Sequence, residues 1–296
     1  GPPMFELISA RDILLFHPYE SFDPVIRLIE EAAVDRNVLA IKQVLYRTAS
    51  DSRIIKALLR AAENGIQVTV LMELKARFDE ARNLDRAEHL QRAGVQIVYG
   101  VRDLKTHAKV TLVARNEDGR LKRYVHLGTG NYNETTAQFY TDASYLTCRP
   151  EFVSDASLFF NAVTGRSKLL RLQKICPAPT HMKARILELI DAEAGRANDG
   201  ESALIMAKFN SLQDPEVIEA LYRASRAGVE IKLNVRGVCC LQTGNKRYSR
   251  NIEVRSIVDR YLEHARLFYF HQGGDPEVYF SSADWMTRNL EKRVEH

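Results

Sequence analysis

Ala57-Leu58-Leu59-Arg60-Ala61-Ala62-Glu63-Asn64-Gly65-Ile66-Gln67-Val68 can be laid on Ala220-Leu221-Tyr222-Arg223-Ala224-Ser225-Arg226-Ala227-Gly228-Val229-Glu230-Ile231, with five identities and mostly like-for-like exchanges elsewhere. An internal duplication decides the architecture, because a repeated unit folds the same way twice. In each copy apolar residues recur at helical spacing, a glycine suited to the left-handed C′ position stops the helix, and a β-branched run ending at Leu71 or Leu233 follows. An apolar run precedes each helix, at residues 37–46 and 203–209, and Ser50-Asp51-Ser52 and Asp214-Pro215 supply the helix starts. Strand, helix and strand in that order predict a right-handed crossover in a largely parallel sheet.

Working outward, residues 84–93 with Gly94 read as a further helix and stop, and 95–99 as a further strand. Residues 110–114 and 123–127, joined by Asn116-Glu117-Asp118-Gly119, predict a hairpin. The second half closes the same way, with 267–270, the turn Gly273-Gly274-Asp275-Pro276, and 278–281. Between the halves, 151–165 reads as helix, and Cys176-Pro177-Ala178-Pro179 breaks the pattern. The fold class expected is α/β: two tandem, related domains over residues 1–174 and 175–296, each a mixed, largely parallel sheet flanked by helices.

Composition agrees. The chain has 296 residues, 45% hydrophobic and 27% charged, which excludes disordered and collagen-like classes. The 42 Lys and Arg against 38 Asp and Glu leave a net charge of only +4. A polyanion would therefore be held by placed arginines rather than by a bulk field, and no nucleic-acid partner is expected. No apolar stretch approaches the ~20 residues of a membrane span, and the start, Gly1-Pro2-Pro3-Met4, lacks a signal-peptide pattern. The four cysteines, Cys148, Cys176, Cys239 and Cys240, lack metal-site spacing and are expected to be buried, reduced thiols of a cytoplasmic protein.

Two of the eight histidines stand out by position. His107 lies in Lys105-Thr106-His107-Ala108-Lys109 and His264 in Glu263-His264-Ala265-Arg266, each just ahead of its half's hairpin. On a strand, residues i and i+2 share a side, so each imidazole sits beside a cation, Lys109 or Arg266. Such a cation keeps the imidazole neutral and nucleophilic and can grip a phosphate oxygen. Nucleophilic attack by histidine on phosphorus would give a phosphohistidine. After each hairpin come Gly128-Thr129-Gly130-Asn131-Tyr132-Asn133 and Ser281-Ser282-Ala283-Asp284-Trp285, small polar residues of the type a phosphate cradle needs. Arg47, Arg77 and Arg236 follow apolar runs and would emerge at the carboxyl edge of a parallel sheet, where open α/β folds bind ligands. His17, His89, His126, His181 and His271 are expected to be structural or surface groups, while Tyr140 fits either the core or a base-stacking position.

The duplicated His-x-Lys/Arg framework resembles the phospholipase D superfamily. More specifically, residues 46–49, 73–80, Lys105-Thr106-His107-Ala108-Lys109, Gly128-Thr129-Gly130-Asn131-Tyr132-Asn133-Glu134, Arg236-Gly237-Val238-Cys239-Cys240 and residues 281–289 resemble the polyphosphate kinase 1 family. That resemblance implies reversible transfer of the ATP γ-phosphate to inorganic polyphosphate through a phosphohistidine. His107 would be the phosphorylated nucleophile, and His264 an acid/base group that also contacts phosphate. Tyr140 would lie against adenine, and Arg236 would bind ATP phosphates, with Lys109 and Arg266 as further phosphate contacts. Arg47 and Arg77 match positions associated with a magnesium site; because hard cations take oxygen ligands, these arginines are expected to bind the phosphates that hold Mg2+. The family extends beyond both ends of this chain and implies a homo-oligomer for the full-length enzyme. The alternatives are a phospholipase D-like phosphodiesterase or nuclease using the same two histidines, and a catalytically idle polyphosphate-binding fragment.

Overall fold

The computed structural model describes residues 1–46, 51–73, 80–101, 104–165 and 172–296, with the side chains of 80–83 excepted. The chain divides into two compact units, Gly1–Ile175 and Cys176–His296.

In the first unit the helices are α1 (Met4–Ala10), α2 (Asp23–Ala32), α3 (Arg53–Glu63), α4 (Glu80–Arg92) and α5 (Pro150–Val163). Its strands are β1 (Ile13–His17), β2 (Val38–Leu45), β3 (Gln67–Met72), β4 (Gln96–Tyr99), the short β5 (Lys105–Thr106), β6 (Val110–Glu117), β7 (Arg120–Gly128) and β8 (Tyr140–Thr147). The sheet runs β1-β8-β7-β6-β2-β3-β4. Parallel pairing is confined to β2-β3-β4, the strands joined by α3 and α4. Every other pair is antiparallel: β6-β7 and β7-β8 are consecutive strands whose short connections turn the chain back beside itself, while β2-β6 and β1-β8 join strands distant in sequence. The sheet is therefore mixed, with parallel strands at one end.

Local chemistry explains the repeat element. Ser52 caps α3, its Oγ accepting from the Ile55 amide at 3.4 Å, and Gly65 ends the helix at φ +81°. Ile54, Leu58 and Ala61, spaced i, i+4, i+7, are buried on one face of that helix. The hairpin turns on Asp118 and Gly119, both at positive φ, as a two-residue type I′ turn requires.

The second unit repeats the plan with α6 (Met182–Asn198), β9 (Leu204–Phe209), α7 (Pro215–Ala227), β10 (Glu230–Val235), β11 (Ile252–Arg255), the short β12 (Leu262–Glu263), β13 (Arg266–Phe270), β14 (Glu277–Ser281), α8 (Thr287–Lys292) and the short β15 (Arg293–Val294). Its sheet runs β11-β10-β9-β13-β14, parallel across the first three strands and antiparallel across the last three. Asp214 caps α7 by accepting from the Glu216 and Val217 amides, both at 3.1 Å. Val217, Leu221 and Ala224 face a core built around Phe209, Phe268 and Trp285, whose rings lie 4.7–6.2 Å apart.

Candidate active site

In each unit the topology brings the motif residues to one sheet edge. In the first, β2 runs out at Leu45, antiparallel β6 begins at Val110, and β7 ends at Gly128. The pairings Gln43↔Thr111 and Val110↔Leu127 set those ends side by side. His107 and Lys109 lead into β6, and both are buried. The Lys109 ammonium donates to the main-chain carbonyl of His107, closing a three-residue clamp on the histidine's own backbone. The Tyr46 ring stands edge-on to the imidazole at 5.4 Å and 85°. The ammonium groups of Lys105 and Lys109 lie over that same ring at 5.5 and 5.7 Å, a cation–π arrangement. From just past the end of β3, Glu73 Oε2 accepts from the Thr106 amide at 2.8 Å.

The Gly128-Thr129-Gly130-Asn131 turn is built for close approach. Gly128 N donates to the Lys109 carbonyl at 3.0 Å, which ties the turn to the clamp. Thr129 Oγ1 donates to Asp142 at 2.6 Å, and a Cβ at Gly130 would fall 2.3 Å from the Asp142 carboxylate. Glu134 reaches back to α3, accepting from Ser52 Oγ at 2.9 Å and the Ile54 amide at 3.3 Å. The Asn131 Oδ1 and Thr106 Oγ1 atoms are buried with no hydrogen-bond partner among the described residues. Tyr140, half-buried, opens β8 just beyond this loop. Arg47 and Arg77 lie outside the described residues.

In the second unit, register does the same work. Val235 pairs with Phe209, so Arg236 and Asn210 emerge as neighbours. Antiparallel β13 begins at the same edge with Arg266, and β14, paired Arg266↔Ser281, delivers Asp284 there. Arg266 is 3% exposed. Its Nη1 donates to the His264 carbonyl at 2.9 Å and lies 3.2 Å from His264 Nε2, while Nε and Nη2 reach Asp284 at 3.2 and 3.4 Å. Burial alone would raise the Asp284 pKa, but the Arg266 guanidinium and the Asn210 amide, which donates to Oδ1 at 2.8 Å, hold it below the usual carboxylate range. Arg236 Nε donates both to Asn210 Oδ1 and to the Glu263 carbonyl, each at 2.8 Å. Lys208 Nζ pairs with Glu263 at 3.0 Å and donates to the Ala265 carbonyl at 3.2 Å, bracketing His264 in sequence.

Several sequence expectations are redrawn. Ser281 and Ser282, expected to form a phosphate cradle, are buried, and their hydroxyls donate to the His296 carbonyl at 2.6 Å and to Glu295 at 2.5 Å, bracing the chain internally. Arg266 donates to Asp284 and to the His264 carbonyl, and the phosphate contact expected of it stands as a proposal beside those bonds. Asn210 carried no sequence signal beyond its place one residue past a strand end. The cysteines are free but not buried; Cys239 and Cys240 are exposed, because the segment after Arg236 runs over the surface. His17 and His126 are buried and hydrogen-bonded, to Glu20 O and Ser144 and to Tyr132 respectively, as structural histidines. No helix among the described residues is long and apolar enough to cross a membrane.

A magnesium ion held by protein carboxylates does not fit the described residues, which contain no group of three or more His, Cys, Asp or Glu able to hold a metal. Among the carboxylates beside these motifs, Glu73, Asp142 and Asp284 are engaged by an amide, a hydroxyl and a guanidinium, Glu134 by Ser52 and Glu263 by Lys208.

Residues 3–169 match the family described as Polyphosphate kinase C-terminal domain 1, and residues 175–296 match Polyphosphate kinase C-terminal domain 2. A polyphosphate kinase of Rhodopirellula baltica is 59% identical over 292 residues, covering 99% of this chain and 34% of that protein. The crystal structure of polyphosphate kinase from Porphyromonas gingivalis superposes with a TM-score of 0.90 at 42% identity, covering all of this chain and 48% of that one. Phosphatidylserine synthase of Haemophilus influenzae, at a TM-score of 0.58 and 11% identity over 95% of this chain and 80% of that one, shares the fold alone. The chain thus spans between a third and a half of the length of these two polyphosphate kinases. Two family matches that together run nearly end to end, over two units with the same strand plan and the same histidine–cation clamp, place the chain in the polyphosphate kinase family, of which it spans the two C-terminal domains.

Proposed function

We propose that this chain carries the phosphoryl-transfer chemistry of a polyphosphate kinase, moving the γ-phosphate of ATP reversibly to inorganic polyphosphate through a phosphohistidine at His107. A ring nitrogen of His107 attacks the γ-phosphorus, the N–P bond forms, and the bond to the bridging oxygen of ADP breaks. A terminal oxygen of polyphosphate then attacks the same phosphorus, the N–P bond breaks, and the imidazole returns. His264 gives a proton to the departing oxygen and takes one back in the reverse direction. Arg236 holds nucleotide phosphates and Tyr140 lies against the base. Mg2+ is proposed to arrive on the phosphates themselves, with Arg47 and Arg77 gripping those phosphates.

The observation that carries this reading is the repeated clamp. In each unit the cation two residues after the histidine donates to that histidine's own carbonyl, Lys109 to His107 and Arg266 to His264. Each imidazole-bearing residue is thereby fixed before any substrate arrives, and preorganisation of this kind supplies much of the rate in phosphoryl transfer, where positioning and charge outweigh covalent work by the protein. Incubation with γ-labelled ATP, followed by denaturation in alkali, is expected to leave label on the chain and none on a His107→Ala variant; label persisting in that variant overturns the assignment. A second reading of the two histidine–cation clamps is phosphodiester cleavage by the same two histidines. That reading predicts release of a cleaved diester without ATP.

A further inference from the structure

We propose that Asn210 is a positioning residue that aims the Arg236 guanidinium, and that Asp284 is the anchor holding Asn210 to that task. The inference rests on the proposed role of Arg236 as a phosphate contact and deepens it.

Asn210 uses three polar groups in three directions. Its amide donates to Asp284 Oδ1 at 2.8 Å, its carbonyl accepts from the Gly237 amide at 2.7 Å, and its side-chain Oδ1 accepts from Arg236 Nε at 2.8 Å. The residue is 8% exposed, so these bonds are shielded from competing water. A guanidinium is planar, and fixing the direction of its Nε–H fixes the plane of the fork and the direction of both terminal nitrogens. Arg236 Nε–H is shared between Asn210 Oδ1 and the Glu263 carbonyl, on the peptide that leads into His264.

The contacts close into a ring. From Arg236 the bonds run to the Glu263 carbonyl, along the chain to the His264 carbonyl, to Arg266, to Asp284, to the Asn210 amide, and back through the Asn210 side chain to Arg236. One carboxylate therefore sets both arms, the Arg236 arm through Asn210 and the His264 arm through Arg266. An amide suits position 210 because it aims the guanidinium without cancelling its charge, whereas a carboxylate there would offset the attraction Arg236 has for phosphate.

The test is a cycle of four chains: wild type, Asn210→Ala, Arg236→Ala and the double variant. Asn210→Ala keeps both main-chain bonds, so circular dichroism and the emission of Trp285 are expected to be unchanged. The half-saturating ATP concentration for labelling at His107 is expected to rise about tenfold in Asn210→Ala, the size of a lost hydrogen bond to a charged group, with the labelling rate at saturation little altered. If Asn210 acts through Arg236, the double variant loses no more than Arg236→Ala alone. Losses that multiply, or no loss in Asn210→Ala, overturn the proposal. If the wild type takes no label, the phosphotransfer reading fails while this one is still read by calorimetric titration of the same chains with tripolyphosphate, where the same non-multiplying pattern is expected. Absence of tripolyphosphate binding by the wild type overturns it as well.

Discussion

Replacing Asp284 by Asn asks what the buried Arg266–Asp284 pair contributes. The change keeps volume and leaves an oxygen for the Asn210 amide, so what disappears is the charge opposing a guanidinium that is 3% exposed. Removing one partner of a buried pair costs about 3–5 kcal/mol, because the survivor is left uncompensated in a poor solvent for ions. The lost contacts are long, 3.2 and 3.4 Å, and the His264 carbonyl still accepts from Arg266 at 2.9 Å, which places the expectation at the lower end, about 3 kcal/mol. With a urea m-value of about 2 kcal/mol/M the midpoint is expected to fall by roughly 1.5 M. Trp285, the single tryptophan of the chain, reports it through its emission, since it packs against Phe209 and directly follows the mutated position. The pH dependence has a definite sign. Asp284 is shifted below its unfolded value of about 3.9, so its contribution is complete above that pH and is lost as pH falls further, toward the folded pKa. The gap between wild type and variant is thus constant from pH 7 to 5 and narrows only below about 4. A loss under about 1 kcal/mol at pH 7, or a gap that closes between pH 7 and 5, refutes the reasoning.

Gly237→Ala would set a Cβ 2.8 Å from the Asn210 carbonyl, which is backbone and cannot swing aside; a lower urea midpoint and weaker tripolyphosphate binding are both expected, the second absent if Arg236 is not a phosphate contact. Asp214→Ala removes a cap that also accepts from Thr287 at 2.9 Å and pairs with Lys183 at 3.1 Å, and is expected to cost about 2–3 kcal/mol by urea titration, whereas Asp214→Asn, which keeps the cap, should cost about half that. His17 is held below its ordinary pKa, burial outweighing the Glu20 carbonyl, Asp142 and Glu20. The neutral imidazole is favoured in the folded chain, so stability is fullest above pH ~6.5 and declines as pH falls through the folded value. His17→Gln is expected to flatten that part of the dependence when thermal midpoints are compared at pH 7.5 and 5.5.

What the sequence made legible is what depends on neighbours in the chain. The caps Ser52 and Asp214, the stops Gly65 and Gly228 and the Asp118-Gly119 turn are all local, and each is present. What it hid depends on contacts that only folding creates. Ser281 and Ser282 look like ligand-binding hydroxyls until Glu295 and His296 return to meet them. The Arg266–Asp284 pair was hidden as well, because β14 brings the carboxylate from 18 residues away. Asn210 became visible only through the register that pairs Phe209 with Val235. The sheets are less parallel than the strand–helix–strand pattern suggested, because each closing hairpin adds antiparallel partners to a three-strand parallel set.

The histidine–cation clamp has an evolutionary corollary. Because the fixing bond spans only three consecutive residues, the chemical unit travels within a tripeptide, and a duplicated copy inherits it whole even when little else is kept. The two copies differ in the cation and its partner: one has a lysine over a tyrosine ring, the other an arginine tied to a carboxylate. The same backbone clamp thus surrounds two histidines with different charged neighbours, through the exchange of one cation and the contacts it makes beyond the tripeptide.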